Sequence, residues 1–152
     1  MRQSDRKYYY NNHPSTKEKL DSARSYDRTK EHQKKVDDLL FVLGSRPHIK
    51  IFVRPVGYDD ENHIRYGIPG ECDLDGVIGP YGIRFGIEVK TGNGKLNPKQ
   101  KIWKEMLEGI GGIHITADKS VEEVVEELNQ KYLDKLLQIK NSIDEELSAL
   151  RE

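Results

Sequence analysis

The segment Arg84-Phe-Gly-Ile-Glu-Val-Lys90 constrains this chain more than any other. Phe85, Ile87 and Val89 alternate with Gly86, Glu88 and Lys90. Successive side chains of a strand leave opposite faces, so the run predicts a strand with one apolar face and one face carrying Glu88 and Lys90. An apolar strand face must be covered by another layer, which points to a sheet packed against helices. Turn signals bracket the strand: Gly79-Pro-Tyr-Gly82 precedes it and Thr91-Gly-Asn-Gly94 follows.

The rest of the chain supplies those layers. Val36, Leu39, Leu40 and Leu43 recur at helical spacing, which predicts a first helix from about Thr29 to Leu43, ended by Gly44. Ile49 to Val56 reads as a strand limited at its far end by Pro55. Gly57 to Gly70 reads as a polar loop, and Asp73-Leu-Asp-Gly-Val-Ile78 as a short strand. A helix is expected from about Asn97 to Gly109, with Pro98 in its first turn, then a strand over Gly112–Thr116. From about Ser120 the chain reads as an acidic helix. Tight turns make neighbouring strands antiparallel, and a strand reached through a helix is expected to be parallel. The expected fold class is therefore α/β: a small mixed sheet flanked by helices, with an extended C-terminal helix.

Three parts follow: an arm over residues 1–26, a core over 27–118 and the acidic helix over 119–152. The arm is rich in Arg, Lys, Tyr, Asn and Ser without an apolar period, and is expected to be flexible. The overall charge of −1 conceals an asymmetry. Residues 1–117 carry a net +4 and residues 118–152 a net −5. The basic part suits a polyanion and the acidic part does not. Cys72 is the only cysteine, which excludes an internal disulfide and leads us to expect a reducing cytoplasm. No apolar run is long enough for a membrane span.

The chemistry centres on two carboxylates and a lysine. Glu88 and Lys90 share one strand face. Asp73 opens the preceding strand, and the hairpin is expected to bring it opposite the Glu88–Lys90 end. Two carboxylates at one sheet edge suit a hard divalent cation such as Mg²⁺. Such a cation polarises a phosphodiester oxygen and acidifies water, while Lys90 orients or deprotonates that water or offsets charge on the phosphate. Asp75, two residues on and on the same strand face, competes with Asp73. Taken alone, Glu-x-Lys is equally a solvated ion pair.

The order Asp, hairpin, Glu-x-Lys resembles the PD-(D/E)XK nuclease superfamily, and more narrowly the small VRR-NUC nucleases found in phages and DNA-repair enzymes. Four segments carry the resemblance, in order, across Glu31 to Leu128: Glu31-His-Gln33; Arg65 to Gly76; Ile87-Glu-Val-Lys-Thr-Gly-Asn-Gly-Lys-Leu-Asn-Pro-Lys-Gln100; and Gly111-Gly-Ile-His-Ile115, leading into Ser120. The third is the most specific. The family pattern often has Pro before the first Asp, where this chain has Cys72. The resemblance implies a restriction-endonuclease-like fold with Asp73, Glu88, the Val89 backbone carbonyl and Glu31 as metal ligands. It further implies Lys90 as the catalytic lysine, Gln100 as an active-site support, and Mg²⁺ or Mn²⁺ as cofactor.

The lysines Lys95, Lys99 and Lys101 lie beside this site in sequence and are expected to meet the DNA backbone. His13, His32, His48, His63 and His114 have no zinc-ligand spacing, and His114, between Ile113 and Ile115, reads as structural. Cys72 lacks a histidine at a motif spacing, which argues against a thiol nucleophile. From Val121 to Leu150 there is neither Gly nor Pro, and Leu128, Tyr132, Leu136, Ile139, Ile143, Leu147 and Leu150 form a narrow stripe that suits a second helix and hence a homodimer. The expectation is a Mg²⁺- or Mn²⁺-dependent deoxyribonuclease, structure-selective, with branched DNA such as a four-way junction as a candidate substrate. A catalytically inactive DNA-binding derivative and a partner-binding protein acting through its C-terminal helix are the alternatives.

Overall fold

The computed structural model describes residues 16–151 apart from 56, 60 and 63, with side chains described from Thr29 onward except at 56–60 and 63–66. In chain order the elements are α1 (Thr16–Gly44), β1 (Ile49–Val53), β2 (Gly57–Asp59), β3 (Ile64–Tyr66), β4 (Leu74–Ile78), β5 (Ile83–Val89), α2 (Pro98–Gly109), β6 (Ile113–Ala117) and α3 (Val121–Ala149). The main sheet has the order β1-β4-β5-β6. β4 pairs antiparallel with both β1 and β5, and β5 pairs parallel with β6. The parallel step is the one that passes through a helix, as expected. The fold is α/β, a four-stranded mixed sheet flanked by three helices, with a long C-terminal helix.

Alternation decides which face of the sheet is dry. Leu74 and Ile78 of β4, Phe85, Ile87 and Val89 of β5, and Ile113 and Ile115 of β6 are buried in one core with Val36, Leu39 and Leu43 of α1 and Val124 and Leu128 of α3. Burying each such side chain contributes about 1.5–3 kcal/mol, so this layer holds the sheet and two helices together. α2 covers the opposite face by close approach. A Cβ at Gly86 would stand 2.8 Å from Cys72 Sγ and 3.1 Å from Leu107 Cδ2, so glycine is what lets α2 sit against β5.

Two expectations are corrected. α1 starts at Thr16, so residues 16–26 of the expected arm are helical. That stretch has no apolar period, but after Pro14 it has neither proline nor glycine and is rich in helix formers such as Lys, Glu, Leu, Ala and Arg. The remainder of the arm lies outside the described residues. Gly57–Gly70 is not wholly a loop, because β2 and β3 pair antiparallel, Gly57 with Tyr66 and Asp59 with Ile64. Strands of three residues are too short to show a readable alternation, so backbone pairing alone reveals them. Among the described residues no helix is long and apolar enough to cross a membrane.

α3 packs through its first half only. Tyr132 Oη donates to the Gly79 carbonyl at 3.0 Å, and Tyr132 and Leu136 lie against the core. Ile139, Ile143, Leu147 and Leu150 continue the same stripe but are exposed.

Candidate active site

The centre lies where β5 ends. Glu88 is buried on the sheet face turned toward α2, and Lys90 follows one residue past the strand. Lys90 Nζ donates to Glu88 Oε1 at 2.8 Å and to Gln100 Oε1 at 3.0 Å. Gln100 Nε2 donates to the same Glu88 oxygen at 2.5 Å. Burial pushes the Glu88 carboxyl above its ordinary range, and the Asp73 charge pushes it further; the Lys90 ammonium works in the opposite direction. The carboxylate is thus held beside another negative charge, an arrangement that favours a cation between them.

Gln100 is aimed by local chemistry that the sequence spells out. Asn97 caps α2, Pro98 occupies the first turn, and Gln100 is the third helical residue. Gln100 N donates to Asn97 Oδ1 at 3.0 Å, and Asn97 N donates to Gln100 Oε1 at 2.9 Å. This reciprocal capping box fixes the start of the helix. It also fixes the Gln100 amide, whose other bonds go to Glu88 and Lys90.

Asp73 sits just before β4, where its carbonyl accepts from the Arg54 amide at 2.8 Å and extends the pairing with β1 by one bond. Its Oδ2 accepts from the Val89 amide at 2.8 Å, and His32 Nε2 lies 3.3 Å from the same oxygen. Val89 therefore joins the centre through its backbone while its side chain fills the core. Among the described residues every hydrogen bond to the Asp73 carboxylate falls on Oδ2. Every one to the Glu88 carboxylate falls on Oε1. Each carboxylate keeps one oxygen without a donor among the described residues.

Asp73 and Asp75 differ in their tertiary contacts. Asp75 is buried and both its oxygens are engaged: Arg84 Nε and Nη2 donate to Oδ1 and Oδ2, each at 3.0 Å, and Arg54 Nη2 donates to Oδ2 at 3.2 Å. The Arg84 guanidinium also stands 5.6 Å from the Trp103 ring centroid. Bidentate arginine pairing makes Asp75 a tie among β4, β5 and the chain beyond β1.

Glu31 is exposed and has no hydrogen bond to Asp73 or Glu88; its charge acts on Lys35. The α1 side chains that reach the centre are its neighbours. His32 meets Asp73, and Lys35 Nζ donates to the carbonyls of Ala117 at 2.7 Å and Lys90 at 3.5 Å, across the ends of β6 and β5. Zinc-ligand spacing does not single out His32 and nothing local singles out Lys35, although His32 lies one helical step of four before Val36 on the buried stripe. Lys95, Lys99 and Lys101 are exposed beside α2's first turns. Lys104 is half-buried and acts electrostatically on His114. Burial, then the surrounding carboxylates, push the Cys72 thiol up to about 12, so it stays protonated and unreactive.

No protein-family model, curated protein or solved structure matches this chain.

Among the described residues no three His, Cys, Asp or Glu side chains converge into a closed metal cage. Mg²⁺ does not require one, since it is commonly bound through one or two carboxylates and keeps several waters. Hard carboxylate oxygens at Asp73 and Glu88, each residue with one oxygen unclaimed among the described residues, fit that donor chemistry.

Proposed function

We propose that this chain is a Mg²⁺- or Mn²⁺-dependent nuclease that hydrolyses DNA phosphodiester bonds, with branched DNA such as a four-way junction as the candidate substrate. The observation that supports it best is the joining of Asp73, Glu88, Lys90 and Gln100 at one strand end, each carboxylate held by one oxygen with the other unclaimed among the described residues. A surface ion pair accounts for Glu88 and Lys90 alone. It does not account for a buried glutamate bonded by two side chains beside a second carboxylate.

In this reading Asp73 and Glu88 hold the cation. Bound there, it supplies Lewis-acid polarisation of a phosphodiester oxygen and lowers the pKa of water. Gln100 orients the Glu88 carboxylate. Lys90 has three N–H donors, two of them engaged by Glu88 and Gln100, which leaves one for the scissile phosphate or the attacking water. Water adds to phosphorus, the bond from phosphorus to the leaving oxygen breaks, and a proton passes from the water to that oxygen. In the same reading the exposed Lys95, Lys99 and Lys101 contact the phosphate backbone.

The test is cleavage of linear, flap and junction DNAs with Mg²⁺, Mn²⁺ or EDTA, under single-turnover conditions. Asp73→Asn and Glu88→Gln are expected to abolish cutting without loss of folding. Lys90→Ala is expected to cut on the order of 10²-fold more slowly while still binding the cation, the loss typical of one transition-state donor. An Asp73→Asn protein that cuts at the parent rate refutes the assignment.

A further inference from the structure

We propose that His32 is a positioning residue that clamps the Asp73 carboxylate so that Oδ1 is presented to the cation. The inference rests on the metal-dependent reading above.

Asp73 precedes β4, and the bond from the Arg54 amide to its carbonyl at 2.8 Å holds its backbone but not its side chain. Two donors hold the side chain, both on Oδ2: the Val89 amide at 2.8 Å and His32 Nε2 at 3.3 Å. An ionised carboxylate only accepts, so in this contact Nε2 carries the proton. With Oδ2 engaged from two directions, rotation of the carboxylate is restricted, and among the described residues no donor meets Oδ1. Partners of this kind, one bond removed from a metal, orient its ligands, and their loss typically costs about 10–100-fold in metal affinity.

The position of His32 is itself determined by packing. Val36, Leu39 and Leu43 are buried, and His32 precedes Val36 by four residues, so it lies on the same side of α1 one turn earlier. Lys35 secures that turn through the carbonyls of Ala117 and Lys90. The imidazole is thereby carried to the Asp73 end of the sheet with its side chain about one-third exposed. Glu31, one residue away, leaves the helix in another direction and is exposed.

The experiment measures Mn²⁺ affinity of the full chain by electron paramagnetic resonance of the free ion, together with melting temperature and single-turnover cleavage. His32→Ala is expected to bind Mn²⁺ about 10–100-fold more weakly than the parent with an unchanged melting temperature. His32→Gln, whose amide offers an N–H at similar reach, is expected to recover most of that affinity. Parent-like Mn²⁺ binding by His32→Ala overturns the inference. So does a His32→Gln protein as weak as His32→Ala, because that pattern marks the imidazole as a direct ligand. A parent protein that binds no Mn²⁺ overturns the metal-dependent reading and, through it, this inference.

Discussion

His114 offers a test of the fold that does not depend on the catalytic reading. It lies in the parallel strand β6 beside Gly86 and is 2% exposed. Neither ring nitrogen has a hydrogen-bond partner among the described residues. Burial lowers its pKa from 6.5 to about 4, Lys104 and Lys131 add to the effect, and Glu127 opposes it. The unfolded chain therefore binds a proton below about pH 6.5, and the folded chain only below about pH 4. Between these values the unfolded state holds more protons, so stability is fully present above about pH 6.5 and is lost as pH falls toward 4. At about 1.36 kcal/mol per pH unit, the loss from this one residue reaches about 3 kcal/mol. That is a large share of the roughly 5–15 kcal/mol by which a domain is stable.

The perturbation is His114→Leu, which keeps an apolar side chain of similar size and removes the titrating group. Urea unfolding followed by Trp103 fluorescence at pH 7, 5.5 and 4 gives the stability of parent and variant. At pH 7 the variant is expected to be more stable by roughly 1–3 kcal/mol, the cost of unpaired buried polar atoms. The gap is expected to widen by about 3 kcal/mol at pH 4. A gap that stays constant between pH 7 and pH 4 refutes the reasoning, because it means the imidazole takes up its proton equally in both states.

Two further outcomes follow from the surface. Replacing Lys95, Lys99 and Lys101 together by Ala is expected to weaken DNA binding for all sequences and to lower the log–log salt slope by about 2–3, close to one for each phosphate that a lysine neutralises; an unchanged slope excludes the tract as a DNA-binding surface. The exposed continuation of the α3 stripe, Ile139, Ile143, Leu147 and Leu150, is expected to pair with a second copy. Light scattering should then read a dimer for the full chain and a monomer for a chain ending at Gln138, and a monomeric full chain at micromolar concentration refutes the pairing.

What was legible in the sequence is what short-range periodicity and turn chemistry control. The alternation from Phe85 to Val89 specified β5 and the shared face of Glu88 and Lys90. The Asn97-Pro98-Lys99-Gln100 run specified where α2 starts. The capping box that fixes Gln100 closes within three residues of the same run, although only the structure brought it out. The helical spacing from Val36 to Leu43 and the glycine-free run after Ser120 gave the covering helices. These features need no knowledge of distant residues, because each depends on bonds or burial patterns a few positions apart. The start of α1 escaped because its first turns carry no buried stripe, and the β2–β3 hairpin because its strands are too short to alternate.

Only the tertiary structure decided between residues that the pattern left equivalent. Asp73 and Asp75 have the same strand parity. Asp75 is consumed because Arg84 lies across the β4–β5 hairpin and Arg54 arrives from the end of β1. Among the described residues the Val89 amide and His32 meet just one oxygen of Asp73. Likewise, Glu31 and His32 are adjacent in the chain but about 100° apart around the helix, and the docking of α1 on the core chose the histidine to meet Asp73. Contacts of this kind join residues 9 to 41 positions apart. Their partners are set by sheet register and by the rotation of a packed helix, quantities that have no local signature in a single chain.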